Sequence, residues 1–124
     1  FETSTKYVEY AVNKGASIFC AEDIKENYVS VLEQLFETMD RYEAVYVSVD
    51  IDVVDMSSVP GTSAPRPGGI TSRELYTLIS SIAKRGNVVG FDLVECSPFL
   101  DPQNHTVITG SRAIAYMVSG IQEN

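Results

Sequence analysis

Three things are scarce in this sequence. It has one histidine and two cysteines among 124 residues, and nine Lys and Arg against seventeen Asp and Glu. Cys20 and Cys96 form neither a CxxC pair nor the dense framework of a small secreted domain, which points to a reduced, cytoplasmic protein. Basic residues form no cluster, which argues against a nucleic-acid backbone as partner. No apolar run is long enough to span a bilayer and the start shows no signal-peptide pattern, so no membrane partner is expected. The net charge of −8 suits a soluble surface and is compatible with a small cationic substrate.

The length and an ordinary apolar fraction allow one domain with a real core, residues 1–124. Apolar residues at helical spacing predict a helix over 4–14, stopped at Gly15. Ser17 to Ala21 is a short apolar run read as a strand. Asp23 and Glu26 suggest a capping box opening a helix through Val29, Leu32, Leu35, Phe36 and Met39. A β-branched strand follows at 44–50. Thr71 and Glu74 form a second capping box, and that helix ends near Lys84-Arg85-Gly86. Val88 to Val94 is the third strand, and Thr106 to about Ser119 the last helix. Strands alternating with helices predict βαβ units, a parallel sheet and a three-layer α/β/α architecture. Three strands make a thin sheet, and the chain opens on Phe1-Glu2-Thr3 without an initiator methionine. Both lead to the expectation that part of the domain is missing.

The densest chemistry lies in Val45-Tyr46-Val47-Ser48-Val49-Asp50-Ile51-Asp52-Val53-Val54-Asp55. An apolar strand here ends in three carboxylates, at the sheet edge where ligands of open α/β folds bind. Extended backbone would turn Asp50 and Asp52 to one side. Two such charges repel unless a cation or proton lies between them, and a divalent metal is the natural occupant. The plain alternative is a pair of turn residues. Pro60 to Gly69 then holds three of the five prolines and three of the eight glycines, a shaped loop beside the carboxylates. A DxD pair also occurs in aspartyl phosphatases, which want a hydroxyl residue where Val54 stands. Metal-dependent glycosyltransferases use one too, but leave the loop and Glu95 unexplained.

Taken together, Ser48-x-Asp50-x-Asp52-x-x-Asp55, Pro60-Gly61-Thr62-x-x-Pro65-x-x-Gly68-Gly69 and Asp92-x-Val94-Glu95-x-x-Pro98 resemble the ureohydrolase family, the arginases, agmatinases and their relatives. The resemblance covers essentially the whole chain but only the C-terminal part of such a protein. It implies an arginase-like fold and a site of two Mn²⁺ ions, with Asp50 and Asp52 as metal ligands and Glu95 holding the substrate guanidinium. It implies attack by a metal-bridging hydroxide, releasing urea and an amine, and a homo-oligomer, trimer or hexamer. No catalytic residue is assigned within this chain. Agmatine is the substrate expected from the Pro-Gly-Thr and Pro-Gly-Gly turns. Formimidoylglutamate, which Ser63-Ala64-Pro65 suggests, and arginine are the alternatives.

The family's G-G-D-H and D-A-H-x-D segments have no counterpart here, so the 124 residues alone cannot complete a two-metal site. A catalytically incomplete assembly or regulatory fragment is therefore the competing, non-enzyme reading. Met56 replaces the family proline after Asp55. Asp55 is expected to serve the turn, His105 to start the last helix and Arg66 to be a loop cation that could meet a substrate carboxylate. Cys96 is expected to be inert. Asp92, inside an apolar strand, needs a partner.

Overall fold

The computed structural model describes residues 4–122. Among them the order is α1 (Thr5–Asn13), α2 (Ala21–Met39), β1 (Val45–Asp50), a 3-10 turn (Ile51–Val53), α3 (Ser72–Ala83), β2 (Val88–Val94), a second 3-10 turn (Pro98–Leu100) and α4 (His105–Gln122). No described helix is long and apolar enough to cross a membrane.

β1 and β2 pair in parallel, with Tyr46 opposite Gly90, Ser48 opposite Asp92 and Asp50 opposite Val94. The β-branched run of β1 suits this pleated setting. α3 lies between the strands in sequence, as a parallel connection requires. Its start follows the expected capping box: Thr71 Oγ1 accepts from the Glu74 N–H at 3.2 Å, and Glu74 Oε2 accepts from the Thr71 N–H at 2.6 Å. Both hydrogen bonds satisfy donors that an N-terminus otherwise leaves open.

The core joins Val49 and Ile51 of the β1 end to Leu75, Ile79 and Ala83 of α3 and Ala113 and Met117 of α4. Burying a side chain such as Ile79 is worth about 1.5–3 kcal/mol. α3 and α4 approach closely where Gly120 faces Ala83: a Cβ at Gly120 would lie 2.5 Å from the Ala83 Cβ. Ile24 and Val31 bring α2 onto the same core.

Two expectations fail at the N-terminal side. Ser17 to Cys20 is irregular, and Ala21 already belongs to α2, so the described sheet has two strands rather than three. A short apolar run becomes a strand only with a neighbour to bond, and no described strand pairs with it. Phe19 and Ala21 instead pack half-buried against the core. The capping box also lies one turn earlier than predicted. Asp23 is its third helical residue, and the Asp23 carboxylate accepts from the Cys20 N–H at 2.7 Å and the Cys20 thiol at 2.9 Å. That carboxylate beside the sulfur pushes the thiol pKa up, while the same hydrogen bonds hold Asp23 below its usual range.

Candidate active site

β1 ends at Asp50, and the chain turns there. Asp50 Oδ1 accepts from the Asp52 N–H at 3.0 Å and so caps the 3-10 turn that carries Asp52. Extended backbone therefore does not carry through to Asp52, contrary to expectation: the two aspartates share one tight turn, not one strand face. Asp50 is exposed and Asp52 half-buried. Asp52 Oδ1 is buried without a hydrogen-bond partner. A carboxylate oxygen hidden from water with nothing to bond is costly, and a cation relieves that cost. Oxygen donors of this kind suit a hard or borderline divalent ion, so the turn fits a metal as far as it goes. Among the described residues no larger group of His, Cys, Asp or Glu gathers around it.

Asp55, three residues on, is wholly engaged. Its Oδ1 accepts from Ser57 N–H at 2.9 Å and Ser57 hydroxyl at 2.6 Å, and its Oδ2 accepts from Gly68 N–H at 2.7 Å. The Ser57 hydroxyl first, then the two amides, hold its pKa below the usual carboxylate range. These bonds close the Pro/Gly loop at its root. The Asp55 N–H donates to Ile70 O and the Ile70 N–H to Val53 O, at 2.9 and 3.0 Å. Gly69 is required there: a Cβ would meet the Asp55 nitrogen at 2.5 Å and Val53 O at 2.6 Å. Met56 explains its own departure from the family pattern. Its N–H donates to Arg66 O at 2.9 Å, a bond a proline could not make.

The far side of the loop is fastened to the region after β2. Gly61 N–H donates to Thr106 Oγ1 at 2.8 Å, Gly61 O accepts from Ser97 N–H at 2.7 Å, and Thr106 N–H donates to Asp101 Oδ2 at 2.7 Å. Gly61 is again a matter of space, since a Cβ would lie 2.6 Å from the Asp101 Cβ. Asp101 is buried, and the Thr106 amide holds its pKa down. Sequence reasoning gives Thr106 only as the start of the last helix and gives Asp101 no role. Their contacts span the fold and leave no local pattern.

Glu95 follows Val94, the residue paired with Asp50, so it lies at the same sheet edge as the aspartate turn. It is exposed, with φ 63°, and its Oε2 accepts from the Ser63 hydroxyl at 2.6 Å. Asp92 has found its partners across the strands: Ser48 Oγ donates to Oδ1 at 2.7 Å and the Tyr46 hydroxyl to Oδ2 at 3.0 Å. The hydrogen bond to Asp92 raises the Tyr46 pKa. His105 is the exposed first residue of α4. Cys96 is a half-buried free cysteine packed on the core, and Arg66 is exposed on the loop.

Fold and site thus define an α/β protein with carboxylates collected at the C-terminal ends of parallel strands, bordered by a braced loop. Comparison with known proteins narrows that class. The arginase family model matches residues 2–119. A formimidoylglutamase of Halobacterium salinarum is 40% identical over 123 residues, 98% of this chain and 40% of that protein. An agmatinase of Bacillus anthracis is 44% identical over 93 residues, 73% of this chain and 32% of that protein. The crystal structure of the Bacillus subtilis formimidoylglutamase superposes with a TM-score of 0.92 at 28% identity, covering all of this chain and 40% of that one. The chain belongs to the arginase (ureohydrolase) family and has its fold. It spans about two fifths of the length of the formimidoylglutamases it matches.

Proposed function

We propose that these residues form part of the active site of a manganese-dependent hydrolase acting on the C–N bond of a linear amidine or guanidine. The observation that carries the reading is the buried, unpartnered Asp52 Oδ1 at the end of β1, with Glu95 at the end of the neighbouring strand. Asp50 and Asp52 would hold the metal. When bound, the metal supplies the Lewis acidity that makes water a competent nucleophile near neutral pH. Glu95 would receive the planar cation edge-on, since a carboxylate matches the N–H fork of a guanidinium or amidinium. The remaining ligands, histidines in the family pattern, would come from outside these 124 residues.

Formimidoylglutamate is the first substrate to test. Formimidoylglutamase relatives align over 98% of the chain, α1 and α2 included, and provide the TM-score of 0.92. Agmatine is the second reading, supported by the 44% identity of the agmatinase over the shorter stretch and by the acidic charge balance.

Mn²⁺ titration of the chain, followed by the loss of the free-ion EPR signal, tests the ligand assignment. Binding that disappears in Asp52→Asn is expected; binding indifferent to Asp52 would remove it from the metal site. Hydrolysis is then measured with the histidine-bearing portion of a relative supplied in trans, comparing formimidoylglutamate with agmatine. Metal binding without turnover of either would favour the incomplete assembly or regulatory fragment.

A further inference from the structure

Glu95 is held from two directions. Its backbone, at φ 63°, occupies the left-handed region that a residue with a side chain enters at a cost, and such strain persists where neighbours impose it. One neighbour is the backbone bond from Ser97 N–H to Gly61 O at 2.7 Å. The other is the Ser63 hydroxyl on Glu95 Oε2 at 2.6 Å. Both come from the Pro/Gly loop, and they grip the chain on either side of Cys96.

We propose that Ser63 is a positioning residue for Glu95, fixing the rotation of its carboxylate for a planar amidinium. The inference rests on the reading of Glu95 as the substrate-binding carboxylate. A carboxylate offers about four lone-pair sites. A forked cation takes one on each oxygen, and the Ser63 hydroxyl takes another on Oε2, so both partners fit at once. A free glutamate on an exposed surface samples many rotamers and must lose them on binding. The Ser63 bond removes part of that freedom beforehand, which is preorganisation. Ser63 is itself exposed, so losing its hydroxyl leaves no buried group unpaired and the fold intact. The loop thereby sets the orientation of a charge 32 residues further along the chain.

The 124-residue chain is titrated with acetamidinium chloride, a minimal amidinium, and followed by NMR. Three-bond couplings about χ1 of Glu95 give a second readout that needs neither metal nor turnover. Ser63→Ala is expected to weaken binding about fivefold and to average the Glu95 couplings, with Ser63→Thr restoring both. Wild-type binding and fixed couplings in Ser63→Ala, while Glu95→Gln abolishes binding, would overturn the positioning role alone. Equal titrations of wild type and Glu95→Gln would overturn the substrate-binding reading of Glu95, and the inference with it.

Discussion

Two carboxylates stand three residues apart after β1 and live in opposite conditions. Asp55, at the root of the loop, accepts three hydrogen bonds and braces everything between Met56 and Ile70. Asp52, in the 3-10 turn, is half-buried with one oxygen that bonds to nothing. The first arrangement is complete without a ligand. The second leaves an acceptor oxygen open, which under the proposed function a cation would fill. A run of aspartates can thus divide its labour: Asp55 builds the platform, Asp50 caps the turn, and Asp52 keeps one oxygen unbonded. The same division holds at the end of β2. Asp92 has both oxygens bonded, by Tyr46 and Ser48, while Glu95, three residues further, is oriented by Ser63 on one oxygen with the other left over.

The largest predicted effect attacks the platform. In Gly69→Ala the new methyl would collide with backbone on both sides, at Asp55 and Val53, where no side chain can swing away. Overpacking against fixed backbone is expected to cost about 3 kcal/mol. Urea denaturation should show it as a lower midpoint at unchanged slope. A Gly69→Ala protein as stable as wild type would mean the loop root is pliable, and the contrast between platform and ligand residues would lose its basis.

A smaller effect concerns Asp55 alone and depends on pH. Its pKa is lowered in the folded protein by the Ser57 hydroxyl, then by the Ser57 and Gly68 amides. A carboxylate with a depressed folded pKa contributes stability that is fully present above its unfolded value, about 3.9. That contribution fades as pH falls through the folded value. Asp55→Ala should therefore melt a few degrees below wild type at pH 7, with the gap closing below about pH 4. A gap that persists unchanged into acid would assign the loss to geometry instead of charge.

Much of this platform was legible in the sequence because its causes are local. The β-branched run gave β1, Thr71 and Glu74 three residues apart gave the start of α3, and the Pro/Gly stretch gave a shaped loop. Segment 17–21 misled because an apolar pentapeptide carries no record of whether a partner strand exists. The α2 cap shifted because Asp23 reaches back to Cys20, a residue type that rarely marks a helix start. Asp50 and Asp52 were placed at the right edge for an incomplete reason: alternation assumes extended backbone, and Asp50 ends the strand by capping the next turn. The links from Ser63 to Glu95 and from Gly61 to Thr106 join residues 32 and 45 apart, and only the folded chain brings them together.

The smallest predicted effect is the most discriminating, because its sign depends on the metal. Without metal, Asp52→Asn replaces a buried, uncompensated carboxylate oxygen by a neutral amide of nearly the same shape. The protein should gain stability, by about 1 kcal/mol or less. With saturating Mn²⁺ the order should reverse, because a ligand that binds only the folded state raises its stability in proportion to affinity, and the variant has lost a donor. Thermal melts of both proteins, with and without Mn²⁺, supply the four values needed. Asp55→Ala should show no such crossing, since its oxygens are already occupied. If Asp52→Asn destabilises the metal-free protein as Asp55→Ala does, Asp52 belongs to the platform, and the metal must find its ligands elsewhere.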